Sequence, residues 1–393
     1  MKRKGFFDRE EVEESVKKKT KQDDCSRCKL HENCKSPRME VSGEGKKEIL
    51  VIAEAPGASE DAEGKALVGQ AGQLFRGVLT ECGIDLDRDC WKTNALSCRP
   101  PKNRAPSKAE IKYCRPRVEK VLKRKKPQLV LLLGGASIES FIGNRLSEAP
   151  GGVTRWRGFV VPDQRYKVWM TSTFHPSYLL RNPGDDILEN LFRRDIKGGL
   201  KKLHKKVPRH GGYNINIGDP PFEYSNKGFD LLAFDYETTG LKPYRKGHEI
   251  ICCAFSIEEN KAEVFELNNK KNIKIWKNVL RHKKIKKTAQ NIKFEHQWSR
   301  NILGVETRGW VWDTMQASHI LDNRKGITGL KFQSYINFGQ EDYSSHLDKY
   351  IKCDNGKGFN NIKEANIDEI MKYCGMDAIL EYKLAKKQMR LLK

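Results

Sequence analysis

The chain has 393 residues, 38% of them hydrophobic, and carries 74 Lys and Arg against 51 Asp and Glu, a formal net charge of +23. That length allows two or three domains with real cores. No apolar run approaches the roughly 20 residues of a membrane span. The basic start Met1-Lys2-Arg3-Lys4 runs into acids rather than an apolar stretch, so no signal peptide and a cytoplasmic location are expected.

The basic excess is spread along the chain: 44 basic and 30 acidic residues in 1–224, then 30 and 21 in 225–393. Positive charge on both halves favours a polyanionic partner, most simply nucleic acid. The competing explanation is a lysine-rich surface that only keeps the chain dissolved. Eleven cysteines, odd in number and scattered, argue against a disulfide framework.

Residues 1–24 are charged, with a short helix expected over Arg9 to Lys21. Cys25 and Cys28 form a C-x2-C pair, and Cys98 and Cys114 a wide pair with fifteen residues between them. One tight and one wide pair fit an iron–sulfur cluster better than a zinc ribbon with two tight knuckles. Zinc and plain buried thiols are the alternatives. Cys34 is a competing ligand, and Cys82 and Cys90 are spare.

Between the pairs, Glu48 to Ala53 reads as a buried strand that runs through Glu54-Ala55 into the Pro56-Gly57 turn. Glu60, Asp61 and a glycine-rich loop around Leu67 follow, a common place for a ligand to meet backbone amides. Trp91 to Cys98 predicts a strand ending in a loop. Pro127 to Gly135 predicts a buried strand with a helix from about Ala136. Val168 to Phe174 predicts a strand that delivers His175-Pro176-Ser177. With helices between, the class is α/β with a mostly parallel sheet. Asn94 and His175 fall where such sheets place ligands, although a capping amide and a satisfied loop histidine are the plain alternatives.

These residues together resemble the uracil-DNA glycosylase superfamily, most closely its iron–sulfur family 4, over roughly residues 25–205. The likeness rests on Glu54-Ala55-Pro56-Gly57 with Glu60-Asp61, on Val68-Gly69-Gln70-Ala71-Gly72, and on Thr93-Asn94 followed by Cys98-Arg99-Pro100-Pro101. Asn103-Arg104, Cys114 and His175-Pro176-Ser177 complete it. The resemblance implies a 4Fe-4S cluster on Cys25, Cys28, Cys98 and Cys114, and a pocket for a flipped base. It gives Asn94 the reading of the uracil edge. It gives His175 the stabilisation of negative charge on the departing base, and Ala55, Leu67 and Ser177 places in the substrate site. Glu54 and Glu60 are candidates to orient water or stabilise the sugar cation. The chain departs from the family at Ala53, where glycine is usual, and at Leu67, where a phenylalanine stacks on uracil. Base–aromatic stacking is worth about 1–3 kcal/mol. An inactive domain that grips DNA is therefore the alternative to uracil excision.

Residues 206–227, with Lys206, His210-Gly211-Gly212 and Asp219-Pro220-Pro221, read as a basic linker, and a second domain is expected over 228–393. It opens on Leu231 to Gly240, an apolar run ending in Asp235 and Glu237. At i, i+2 on a strand both carboxylates share a face, and a fold that keeps two anions together usually places a cation there. Ile250–Phe255 and Ala262–Leu267 predict further strands, and Lys277–Lys287 a basic helix. Trp310 to Met315 leads into a helix through Leu321, another starts at Gly329, and the last runs from about Asp368 to Leu391 with Tyr373 and Asp377 on one face.

As a set, Asp235, Glu237, Glu295, Tyr373 and Asp377 resemble the DEDD-type 3′–5′ exonucleases, closest to the proofreading domain of the DNA polymerase I family. Asn291-x-x-Phe294, Asp313-Thr314 and Gly329-Leu330-Lys331-Phe332 stand in the expected order. The resemblance implies a ribonuclease H-like fold and two Mg²⁺ or Mn²⁺ ions acting on a DNA 3′ end. It gives Asp235 the bridging of both ions, Glu237 and Asp377 one ion, and Glu295 the other. It gives Tyr373 the orientation of water, and Asn291 a substrate contact. Glu295 replaces the usual aspartate. The sequence ends at Lys393 without polymerase palm and fingers. Two readings follow: a freestanding enzyme, or the proofreading part of a split or truncated phage polymerase that works with a separately encoded polymerase. The rival outside enzymes is a module that only holds DNA or a replication protein.

Overall fold

The computed structural model describes residues 25–221, 230–353 and 358–392; the helix expected over Arg9 to Lys21 and part of the expected linker lie outside them. The described chain forms two units. One comprises residues 25–210 with Tyr335–Glu341; the other comprises the described parts of Gly211–Ser334 and Asp342–Lys393.

The first unit is built on a five-stranded sheet. In chain order its elements are α1 (Cys25–Cys28), β1 (Ile49–Ala53), α2 (Ala58–Glu63), α3 (Gln70–Thr80), β2 (Cys90–Asn94) and α4 (Lys108–Lys125). Then come β3 (Leu129–Leu133), α5 (Gly135–Ile142), α6 (Val153–Trp156), β4 (Val160–Asp163), β5 (Val168–Thr173), α7 (Pro176–Leu180) and α8 (Asp186–Leu200). Strand order is β2-β1-β3-β5-β4. All neighbours are parallel except β4, which runs antiparallel to β5. Every residue of β1 and β3 is buried, the pattern of strands covered on both faces. Helix α4 starts with a capping box, in which Ser107 Oγ accepts the Glu110 N–H and the Glu110 carboxylate accepts the Ser107 N–H.

The second unit contains β6 (Asn214–Ile217), β7 (Leu232–Thr238), β8 (Ile250–Glu258), β9 (Lys261–Glu266), α9 (Lys270–Arg281), β10 (Lys287–Ala289) and α10 (Ile292–Asn301). It continues with β11 (Trp310–Asp313), α11 (Thr314–Leu321), α12 (Leu330–Phe338, which ends in the first unit), α13 (Asp348–Ile351) and α14 (Ile367–Leu391). Its sheet order is β11-β10-β7-β8-β9-β6. An aromatic core of Phe234, Phe255, Phe265, Trp276 and Trp310 fills one side of it. Helix α14, capped by Asn366 Oδ1 on the N–H groups of Asp368 and Glu369, packs against the sheet. Gly375 permits the close approach. A Cβ there would lie 2.7 Å from Ile215 Cγ2 and 2.9 Å from Val264 Cγ2.

Three features differ from the sequence reading. Asn214–Ile217, inside the expected linker, pairs in parallel with β9 as an edge strand, because Ile215 supplies an apolar side chain for α14. Strand β4 was not expected. Helix α9 ends at Arg281 rather than Lys287: its buried face is Ile275, Trp276, Val279 and Leu280, and no apolar repeat carries it further.

Lys287 instead opens β10 and is fully buried. Its ammonium donates to the carbonyls of His282 at 3.0 Å, Ile285 at 3.0 Å and Arg308 at 2.8 Å. It ties two loop ends to the sheet, although burial pulls its pKa down to about 8. Lys287→Met keeps the stem and removes three donors. It is expected to lower unfolding free energy by about 2–4 kcal/mol, read as a lower denaturant midpoint in urea titration of the full chain.

Candidate functional site

The carboxyl ends of the parallel strands in the first unit form a crevice. Ala53 and Asn94 are register partners at the ends of β1 and β2, so Glu54 and Asn94 emerge side by side. Leu133 and Thr173 pair in the same way, and they bring Gly134 and His175 to the same end. Asn94 is buried. Glu54 Oε1 accepts the Ala136 N–H at 3.4 Å, near the start of α5. Gly134, at φ 89°, leaves it room: a Cβ there would sit 2.6 Å from Glu54 Oε1.

His175 caps α7. Its Nδ1 accepts the Ser177 N–H at 3.2 Å and lies 2.8 Å from Ser177 Oγ. Acceptance at Nδ1 puts the proton of the neutral ring on Nε2. Burial lowers the imidazole pKa, against an opposing pull from Glu54. The neutral, Nε2-donating form therefore prevails at pH 7.

Glu60 is differently employed. Its carboxylate accepts the N–H groups of Gly57 (3.1 Å), Val68 (3.2 Å) and Gly69 (2.9 Å). Those bonds fix the loop that carries Leu67, which is buried at a positive φ of 58°. The Leu67 carbonyl faces Gly72, where a Cβ would lie 2.1 Å from its oxygen. Ala55 is half-buried and packs against the apolar cluster that includes Cys98.

The four cysteines of the two expected pairs, Cys25, Cys28, Cys98 and Cys114, line one cavity with Leu30, Leu96 and Tyr113. All are free thiols. Cys98 Sγ accepts the Arg38 N–H at 3.2 Å, and Cys114 Sγ accepts the Ser97 N–H at 3.3 Å. Burial pushes the Cys28 and Cys114 thiols up, and the Cys98 thiol up to about 12. Amide donors aimed at sulfurs whose thiolates are otherwise disfavoured suit a metal or cluster that supplies the missing positive charge. Cys34 packs at the same place, next to Cys98.

In the second unit, β7 and α14 face one another with acids. Asp235 and Glu237 pair with Ala254 and Cys252 on β8, so both carboxylates leave the same face of β7. Asp235, Glu237 and Cys374 offer ligand atoms within 4.8 Å of one another. The Cys374 thiol lies 3.6 Å from Asp235 Oδ2. Asp377 receives hydrogen bonds from the hydroxyls of Tyr343 and Tyr373. Lys331 sits near both Asp377 and Glu237.

Glu295, on α10, is 1% exposed, and its Oε2 has no hydrogen-bond partner. Burial, then the neighbouring Asp377, raises the pKa of Asp235; burial, then Asp235, raises those of Glu237 and Glu295. Buried acids that cannot all ionise beside one another, with an unpaired oxygen among them, fit divalent cations. Asn291, in the left-handed region at φ 71°, starts α10. Asp313 holds that junction by accepting the N–H groups of Asn291, Ile292, Met315 and Gln316.

The structure thus brings Asn94, Glu54 and His175 together, the four cysteines together, and Asp235, Glu237, Glu295, Tyr373 and Asp377 together. Sequence reasoning missed Tyr343 and Cys374, and it placed Lys331 in the Gly329–Phe332 motif without giving it a role. Cys374 could have been found, since it directly follows Tyr373; Tyr343 comes from a loop with no periodic signal.

Comparison with known proteins agrees with both halves. The family model for the uracil DNA glycosylase superfamily matches residues 41–197, and the model for a 3′–5′ exonuclease matches residues 222–393. A type-4 uracil-DNA glycosylase from Pyrobaculum aerophilum is 33% identical over 189 residues, covering 46% of this chain and 91% of the relative. One from Thermotoga maritima is 31% identical over 213 residues, 52% of this chain and 100% of the relative. A DNA polymerase of Bacillus phage SP01 is 22% identical over 324 residues, 73% of this chain but 34% of the polymerase. Among solved structures, Brucella melitensis NrnC with bound Mg²⁺ aligns with a TM-score of 0.35 at 18% identity, over 45% of this chain and 80% of that one. No helix among the described residues is long and apolar enough to cross a membrane. The chain therefore belongs to the uracil DNA glycosylase superfamily through its first unit and carries a 3′–5′ exonuclease domain in its second.

Proposed function

We propose that the chain trims DNA from the 3′ end with its second unit and excises uracil from DNA with its first. The observation that carries the nuclease reading is the buried, partly unpaired acid cluster of Asp235, Glu237, Glu295 and Asp377. Two divalent cations, Mg²⁺ or Mn²⁺, would be held by these four, polarising the scissile phosphate and supplying a nucleophile. Asp235, whose carboxylate interacts with those of Glu237, Glu295 and Asp377, would be a ligand to both cations. Tyr373 orients the attacking water, and Tyr343, bonded to the same Asp377, fixes that carboxylate. Asn291 contacts the terminal nucleotide.

In the first unit, Asn94 hydrogen-bonds the edge of a flipped uracil, and the Nε2–H of His175 meets the oxygen that gains negative charge as the glycosidic bond breaks. Glu54 stabilises the sugar cation or holds water. Glu60, occupied by backbone amides, acts as a positioning residue for the loop of Leu67 and Val68. Ala55, Leu67 and Ser177 shape the pocket. Cys25, Cys28, Cys98 and Cys114 would hold a 4Fe-4S cluster that braces the loops carrying them.

The similarity to a phage polymerase along 73% of the chain favours a second reading, in which the protein proofreads for a polymerase encoded separately. Co-purification with such a polymerase, and faster removal of mismatched 3′ ends in its presence, would support it.

One labelled oligonucleotide with a central uracil, incubated in Mg²⁺ or EDTA and then treated with alkali, tests both activities. A metal-dependent ladder from the 3′ end reports the nuclease. A uracil-specific, alkali-labile break in EDTA reports the glycosylase. Asp235→Asn is expected to slow the ladder by about 10²–10³-fold or more and leave the uracil break unchanged. His175→Ala is expected to do the reverse, slowing the uracil break by about 10²–10³-fold. Because burial holds His175 neutral, raising the pH from 7 to 8.5 should not slow that break. Absence of any break at uracil in the wild type would leave the first unit as a DNA-holding domain.

A further inference from the structure

Helix α14 brings a fifth carboxylate to the acid cluster. Glu381 lies one helical turn beyond Asp377 and on the same face as Tyr373. It is 1% exposed. The Gln290 N–H points at its carboxylate, and the groups around it are Asp235, Glu295 and Asp377. Its Oε2 is buried without a hydrogen-bond partner, as is Oε2 of Glu295. The tight ligand group of Asp235, Glu237 and Cys374 lies toward β8, and Lys331 sits near Glu237 and Asp377. Both unpaired oxygens therefore belong to acids outside this group, and the third acid outside it, Asp377, is met by Tyr343, Tyr373 and Lys331.

A buried carboxylate among like charges is costly unless something positive meets it. The charges balance when Glu381 is counted. Asp235, Glu237, Glu295, Asp377 and Glu381 carry five negative charges; two divalent cations supply four positive ones and Lys331 the fifth.

We propose that Glu381 is a metal-ligating residue of the exonuclease centre, sharing with Glu295 and Asp235 the cation on the side of Gln290. The assignment rests on the two-cation reading above and extends it to a residue outside the set of four acids.

The test uses the full chain, stripped of divalent ions and titrated with Mn²⁺ while free Mn²⁺ is followed by electron paramagnetic resonance. Wild type is expected to take up two ions at the cluster. Glu381→Gln keeps the size of the side chain and is expected to weaken one of the two by about 10–100-fold while sparing the other. Glu381→Asp, which restores the charge, is expected to recover part of that loss. Thermal unfolding separates ligation from a packing role. In EDTA, Glu381→Gln should melt at or above the wild type, because an uncompensated acid has gone; on adding Mn²⁺ the wild type should gain more. A Glu381→Gln protein that binds both ions like the wild type overturns the assignment. So does one that melts below the wild type in EDTA with unchanged Mn²⁺ uptake. If Asp235→Asn and wild type bind Mn²⁺ alike, the two-cation reading itself falls, and the role of Glu381 with it.

Discussion

Mutual repulsion among buried carboxylates governs the second unit. Asp235 and Glu237 leave one face of β7, and Asp377 meets them from α14, in a place where burial already disfavours ionisation. Such an arrangement is held by the rest of the fold. The aromatic core around Phe234 and Trp276 fixes the strand, and the close seat of Gly375 on Ile215 and Val264 fixes the helix. The apolar scaffold stabilises the fold enough to hold a local arrangement that opposes folding until positive charge arrives. Lys331 and the hydroxyls of Tyr343 and Tyr373 moderate the repulsion. Asp313 is the counterexample: its charge is spent on four backbone N–H groups, so its work is architectural.

The first unit solves a different problem. Its crevice sets two neutral groups beside the Glu54 carboxylate. The Asn94 amide and a histidine whose Nδ1 is tied to Ser177 offer directed dipoles without a fixed charge. Glu60 shows how far the surrounding loop is organised for this, since one carboxylate gathers three amides from two segments. The cysteine cavity follows the logic of the acid cluster, with thiols that resist ionising and amides aimed at two of the sulfurs.

Much of this was legible in the chain. Buried strands announce themselves as apolar runs, as at Ile49–Ala53 and Leu129–Leu133, and the i, i+2 acids on β7 mark a shared face without any structure. What escaped was governed by contacts distant in sequence. Lys287 read as the end of a basic helix, yet three carbonyls from two loops draw it inside. Tyr343 reaches Asp377 from a loop, so no spacing rule finds it. Asn214–Ile217 is too short and too polar to read as a strand, and only its pairing with β9 makes it one.

That edge strand bears on how such a protein could have been assembled from older pieces. The exonuclease unit does not begin at its first acid-bearing strand; it reaches back to the segment before residue 218, whose Ile215 fills the hollow above Gly375. A recombination break placed just ahead of β7 would leave β9 as a bare margin, open to pairing with another chain. A boundary that leaves the nuclease sheet intact therefore falls in the short stretch between the last helix of the first unit's sheet and Asn214. Lineages that exchange one half for another are expected to carry that strand along with the nuclease.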